Sequence, residues 1–178
     1  MTTTINIIDQ DIFTILRAFI ASIVPTGTEI VQAQDNQVPM PVSAFVAMNN
    51  IGQTRLNTNI NKWASTGSPT SQSTETHVEY RMQVDFYGED ASSWAAMIAN
   101  LFRDSYATEF FASYNQNIQP LYADNPIQIP LITGENQYLQ RWRMVAVMQY
   151  NPVITTLQDF ADTLTINVVS VDAQYPPS

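Results

Sequence analysis

The stretch that decides the fold is Ser73–Tyr87, STETHVEYRMQVDFY, read together with Gln53–Trp63, QTRLNTNINKW. In the first stretch, one face carries Val78, Tyr80, Met82, Val84 and Phe86, and the other carries Glu79, Arg81, Gln83 and Asp85. Successive side chains of a strand point to opposite faces, so this alternation predicts a half-buried strand. Gln53–Trp63 alternates more weakly, and residues 64–72 (ASTGSPTSQ) between the two stretches suit a turn. We therefore predict a long projecting β-hairpin over about residues 53–87, whose nearly all-polar outer half needs a partner.

The composition favours an ordered chain with an unusually neutral surface. Its 178 residues are 45% hydrophobic, which excludes bulk disorder and fits a single domain over residues 1–178. Charged residues make up 13%, against the usual value of about 25%. Buried charges are costly and neutral amides pair flexibly, so this composition suits a subunit that buries much of its surface in an assembly. An ordinary domain with a quiet surface remains the alternative.

The charge balance argues against nucleic-acid binding. The net charge is −9, and the seven basic residues are dispersed along the chain, which is not the footprint of a phosphate-binding surface. An acidic wall can nevertheless surround DNA without binding it, because like charges repel. There is no cysteine, which excludes disulfides and zinc–thiolate sites. The start has no secretory signal pattern and the longest apolar run is too short and polar for a bilayer, so we expect a soluble cytoplasmic product and no membrane contact.

The remaining elements follow from periodicity and from Pro and Gly positions. The predicted helices are Asp11–Val24 and one that opens at Asp90, with a softer continuation through Phe110 and Phe111. The other predicted strands are Thr28–Gln34, Val42–Met48, Tyr138–Asn151 and Ala161–Asp172, and Tyr114–Pro130 is predicted to be a loop region. The sum is an α+β domain with a single, mostly antiparallel sheet of four to five strands, two helices packed on one face and the projecting hairpin.

Catalytic chemistry has little support in the sequence. His77 is the single histidine, and no nucleophile and orienting partner lie near it in the chain. The acidic pair Glu89–Asp90 is explained by its place at a helix start, and the five glycines form no phosphate loop. We expect no enzyme activity, metal or cofactor. A carboxylate pair from distant parts of the chain, as in glycoside hydrolysis, stays open as a minor alternative.

The hairpin supplies the candidate interaction residues. Trp63 lies near the hairpin tip, where no neighbour in sequence can bury it, and an exposed tryptophan is a candidate interface anchor. A tryptophan folded back on its own hairpin is the alternative. The subunit-interface candidates are Arg55, Asn57, Asn59, Lys62, Trp63, Glu79 and Arg81.

An ordered series of short strings resembles a known family. The strings are DQDIF (Asp9–Phe13), QDNQVPMP (Gln34–Pro41), QVDFYG (Gln83–Gly88), LFRD (Leu101–Asp104), PLYADNP (Pro120–Pro126), QRW (Gln140–Trp142), QYNP (Gln149–Pro152) and QDFA (Gln158–Ala161). In this order and spacing, over nearly the whole chain, they are similar to the neck or tail-terminator proteins of bacteriophages with contractile tails.

The resemblance implies a structural virion protein at the tail–neck junction, assembled in the host cytoplasm. Such proteins form a homo-oligomeric ring, typically of six copies, that ends polymerisation of the tail tube and supports the last tail sheath ring where a sheath exists. The ring also docks the neck or head–tail connector, and DNA passes through its channel without specific binding. The implied fold is a sheet with helices on one side and an extended hairpin that contacts neighbours.

Other functions remain open at the level of the sequence. Another ring of the same region, a head-completion or tube protein, is the nearest alternative. A carbohydrate-binding or adhesin-like module would use the 11% aromatic content and the neutral polar surface. A small carboxylate-dependent hydrolase is the third.

Overall fold

The computed structural model describes residues 3–33, 41, 43–64, 70–115, 117–132 and 138–158, and in these ranges the chain is mostly β. The helices described are α1 (Asp9–Ala21), α2 (Ala91–Phe102) and α3 (Ser105–Tyr114). The strands described are β1 (Thr3–Ile5), β2 (Glu29–Gln32), β3 (Phe45–Arg55), β4 (Ile60–Ala64), β5 (Ser71–Glu75), β6 (Val78–Tyr87), β7 (Ile118–Ala123), β8 (Ile127–Gln128), β9 (Leu131–Ile132), β10 (Tyr138–Leu139), β11 (Arg141–Tyr150) and β12 (Val153–Leu157). None of these helices is long and apolar enough to cross a membrane.

The main sheet has six strands in the order β2-β3-β6-β11-β7, with β8 also paired to β11. β2 and β3 run parallel, and the other neighbours are antiparallel. The central strand β6 pairs along its whole length, from Val78 opposite Arg55 and Tyr150 to Tyr87 opposite Phe45 and Arg141. The predicted alternation of this strand is confirmed: its inner residues Tyr80, Met82, Val84 and Phe86 are fully buried.

The core lies between this face of the main sheet and the three helices. Phe19 of α1 meets the rings of Phe102 of α2 and Phe111 of α3, with ring centroids 5.7 and 5.8 Å apart. Met144, Ala146 and Met148 of β11 complete the same buried cluster from the sheet side. Removing this apolar area from water holds the helices on one face of the sheet.

The turn from β6 into α2 depends on Gly88. Its φ is +118°, in the region that side chains disfavour, and a Cβ there would lie 2.6 Å from the Cβ of Ala44. Only glycine fits both conditions. The turn between β6 and α2 therefore packs closely against Ala44, the residue before β3.

A second sheet of four strands, in the order β1-β12-β5-β4, extends beyond the main sheet. β4 and β5 are the outer half of the predicted hairpin, and they pair from Ile60 opposite Glu75 to Ala64 opposite Ser71. β12 then pairs with β5, and β1 pairs with β12. We call this four-stranded sheet the arm sheet.

The prediction of a single sheet with two helices is wrong. The hairpin is interrupted between Arg55 and Ile60 and between Glu75 and Val78, so its inner half belongs to the main sheet and its outer half to the arm sheet. The partners of the outer half, β12 and β1, come from opposite ends of the described chain. Local alternation carries no information about such distant pairings.

Two local assignments also change. Residues 114–130 were predicted to be a loop but contain β7 and β8. These strands are too short to show a clear alternation, and pairing with β11 holds them in the sheet. Helical structure after α2 forms a separate helix, α3, because Asp104 is extended and its carboxylate accepts a hydrogen bond from the Ser105 N–H at 2.7 Å. The strand predicted at Ala161–Asp172 lies outside the described residues.

Candidate functional site

The arm sheet has no buried residue in the described part of the chain. Every residue described in β1 and β4 is exposed, and those of β5 and β12 are half-buried or exposed. An isolated sheet normally needs one face against a core or another element. A sheet that lacks such cover within the described chain is therefore the first candidate for a contact with another molecule.

The two faces of the arm sheet differ in charge. Residues opposite one another in the ladder share a face, and one face thus carries Thr3, Ile5, Ile154, Thr156, Gln72, Thr74, Asn61 and Trp63. We call it the neutral face, since none of these eight residues is charged. The opposite face carries Lys62 and Glu75. The two faces therefore suit different partners.

A small set of hydrogen bonds joins the arm sheet to the main sheet. The Leu56 N–H donates to the His77 carbonyl at 2.9 Å, and the His77 N–H donates to the Asn57 side-chain oxygen at 2.7 Å. The Arg55 Nε–H donates to the Asn57 carbonyl at 2.8 Å. We call these four residues the joint. The Asn57 amide replaces a ladder partner where the strands leave the main sheet, which fixes the direction in which the arm continues.

An ionic contact spans the charged face of the arm sheet. Lys62 Nζ lies 3.0 Å from Glu75 Oε2, and His77 Nε2 lies 3.6 Å from Glu75 Oε1. The hydrogen bond and charge of Lys62, followed by His77, lower the pKa of the Glu75 carboxyl below its ordinary value. Lys62 is exposed and Glu75 is half-buried, so water screens the pair and the contact orients side chains more than it stabilises the fold.

The predicted interface residues are split between the two sheets. Arg55, Asn57, Asn59, Lys62 and Trp63 cluster along the joint and β4, whereas Glu79 and Arg81 lie on the outer face of the main sheet. Arg55, Asn57 and Lys62 have partners within the chain. Trp63 is 60% exposed. The side chain best placed to anchor a partner is therefore Trp63.

Sequence reasoning missed the strands that complete the arm sheet. Ile5 of β1 and Ile154 of β12 are exposed on the neutral face beside the hairpin. The β-branched runs Thr3–Ile5 and Val153–Leu157 were the available signal. These runs are too short to be predicted as strands unless the strands that pair with them are known.

The outer face of the main sheet holds a buried ion pair. Asp85, 5% exposed, accepts hydrogen bonds from Arg141 Nε at 3.0 Å and from the Gln83 amide at 2.6 Å. The Arg141 guanidinium lies 5.6 Å from the centre of the Tyr87 ring, which stacks on Phe45. The hydrogen bond to Asp85 raises the pKa of Arg141, and burial raises that of Tyr87. These groups satisfy one another, as expected of a structural pair.

A groove beside α1 has few groups that could do chemistry among its described residues. The groove, of about 420 Å³, is lined, among the described residues, by Asp9, Gln10, Phe13, Gln32, Ala33, Asn49 and Asn50. Asp9 is the one ionisable group in that lining, so the groove does not bring together an acid and a base or a nucleophile and a base. The described part of the chain also holds no cluster of three or more His, Asp or Glu residues that could bind a metal.

An arm sheet without a buried residue among those described, beside a well-packed core, is typical of a structural subunit of a larger assembly. A match to a known protein family identifies which kind of structural subunit this is. The chain belongs to the phage neck terminator protein family, whose model matches residues 10–175. It is therefore a structural protein of the phage neck, a virion component that associates with other phage head and tail proteins. The resemblance found in the sequence is confirmed. No curated protein matches the chain.

Proposed function

We propose that this protein forms a closed homo-oligomeric ring, of six copies, at the head-proximal end of the phage tail. The ring ends the growth of the tail tube, supports the last sheath ring where a sheath is present, and offers the docking surface for the head–tail connector. DNA passes through its channel. Each chain acts as one domain, and assembly takes place in the host cytoplasm.

The observation that carries this proposal is an arm sheet whose described residues are all exposed or half-buried, in a chain of the neck terminator family. Copies related by rotation form a closed ring when each subunit contacts the next through two different surfaces. A closed ring of this kind stops growth, because it presents no repeat of the tube surface below it. The arm supplies one of the two contacts, with Trp63 as anchor and the other six candidate residues around it or at its base.

The charge supports passage of DNA rather than binding. At a net charge of −9 per chain, a ring repels the duplex on average and does not hold it in the channel. The family also favours this function over the carbohydrate-binding and hydrolase alternatives, since it is a family of phage neck proteins.

The test is the mass of the purified protein by light scattering, with negative-stain microscopy of the same sample. We expect rings of six copies that shorten tubes when added to polymerising tube protein. Trp63→Ala is expected to lower the ring fraction and leave the circular dichroism spectrum unchanged. Met97→Ala, at an exposed apolar residue of α2, is the matched control and is expected to form rings normally.

Two results would contradict the proposal. A protein that stays monomeric at high concentration and binds glycans is not a ring subunit. Stacked rings that grow into filaments indicate a tube protein rather than a terminator.

A further inference from the structure

A ring of identical chains needs two different surfaces that fit each other, because the contact on one side of a subunit is not repeated on the other. The arm sheet provides one such surface. The surface of the adjacent copy that receives the arm sheet is inferred below, and this inference rests on the proposed ring.

The neutral face of the arm sheet is apolar at both ends. Trp63 on β4 is 60% exposed, and Ile5 and Ile154 are exposed on the far side of the same face. Thr74 and Asn61 between them are already hydrogen-bonded to each other at 2.9 Å. The face thus offers exposed apolar side chains and a polar pair whose members already bond to each other, and such groups can be removed from water at low cost.

A second set of exposed apolar side chains lies on β7 and β8, the two strands that border β11 at one edge of the main sheet. It consists of Leu121 and Tyr122 of β7 and Ile127 of β8, which are between 42% and 48% exposed. We call these three residues the rim patch. Tyr122 lies opposite Val147 and Ile127 opposite Arg143, so both side chains share the sheet face that is turned away from the helices.

The rim patch is built to receive side chains rather than a strand. Pro120 within β7 has no N–H to donate, and the ladder between β7 and β11 shifts register between Val147 and Met148. Both features interrupt the edge as a template for strand pairing. Arg143 beside Ile127 adds a cation that suits the face of a tryptophan ring.

We propose that the neutral face of the arm sheet, anchored by Trp63, docks on the rim patch of an adjacent copy of this chain. Each copy carries one neutral face and one rim patch, so every contact around a closed ring is satisfied once. The two surfaces match in character: the eight residues of the neutral face and the three of the rim patch are uncharged, and the cation next to the rim patch, Arg143, suits the ring of Trp63. A single type of contact then closes the ring and covers both apolar surfaces.

The experiment uses the absence of cysteine from the chain. Asn61→Cys, on the neutral face beside Trp63, and Leu121→Cys, in the rim patch, are prepared as separate variants and treated with a short bismaleimide crosslinker. We expect covalent dimers only in the mixture of the two variants. Lys62→Cys, one residue along β4 and on the opposite face, is the matched control, and we expect its mixture with Leu121→Cys to lose the crosslinked dimer.

The outcomes separate this contact from the ring itself. Rings of the expected mass without a crosslink between Asn61→Cys and Leu121→Cys overturn the proposed contact and leave the ring intact. Dimers of Asn61→Cys alone indicate a two-fold contact between arms and also overturn it. The absence of rings from the unmodified protein, by light scattering, overturns the proposed function as well.

Discussion

At the scale of single residues, the clearest electrostatic feature is the pair of Asp85 and Arg141. Arg143 lies directly opposite Asp85 in the ladder, yet Arg141, one diagonal step away, makes the ion pair. Register alone would have assigned the wrong partner, since a long side chain reaches across the diagonal. The alternation of β6 places Asp85 on the outer face, but only the side-chain geometry identifies its partner.

This pair gives a direct stability prediction. Arg141→Met leaves the Asp85 carboxylate buried without its cation, and we expect the free energy of unfolding to fall by about 2 kcal/mol, at the low side of such losses because the guanidinium is partly in water. Arg143→Met is the matched control, with an expected loss below about 1 kcal/mol. Urea unfolding followed by circular dichroism, at one protein concentration, measures both. Equal losses in the two variants would show that Asp85 does not depend on Arg141.

At the scale of elements, the hairpin is two structures joined in series. Its inner half gains the burial of the main core, and its outer half is held by β12 and the joint. Between them, the Asn57 side chain takes the place of a backbone partner at His77. The sequence predicted the two strands and the polar tip. It could not predict that the outer half of the hairpin leaves the main sheet for the arm sheet, because that depends on the pairing of β5 with β12.

The joint predicts a local change in dynamics. Asn57→Ala removes the acceptor of the His77 N–H, and we expect faster amide hydrogen exchange in β4 and β5 with unchanged protection in β6 and β11. Asn59→Ala, at an exposed position before β4, is the control and is expected to leave exchange unaltered. Hydrogen–deuterium exchange with mass spectrometry resolves these segments. Loss of protection throughout the main sheet in Asn57→Ala would mean that the joint supports the whole fold rather than the arm.

At the scale of the whole molecule, the net charge of −9 opposes assembly as well as DNA binding. Salt screens such repulsion over about 10 Å at 0.1 M ionic strength. We therefore expect the ring fraction to rise with salt, and duplex DNA to remain free in gel-shift assays at low ionic strength. Circular dichroism across the same salt series controls for changes in folding. A ring that dissociates with added salt would point to an interface held by ion pairs instead of the neutral face.

The sequence by itself determined the strand β6, the regions of α1 and α2, the polar hairpin and the family. These depend on local periodicity, on breakers such as Pro and Gly, and on ordered motifs, all of which are written along the chain. It also singled out Trp63, because no neighbour in sequence could bury that side chain.

Only the tertiary structure decided that there are two larger sheets, that β1 and β12 complete the arm, and that residues 114–130 contribute strands to the edge of the main sheet. Each of these outcomes depends on hydrogen bonding between segments far apart in the chain. Such pairing is set by which edges meet once the core has formed, and short strands have little propensity of their own to reveal it. The neutral face and the rim patch exist as surfaces only after that pairing.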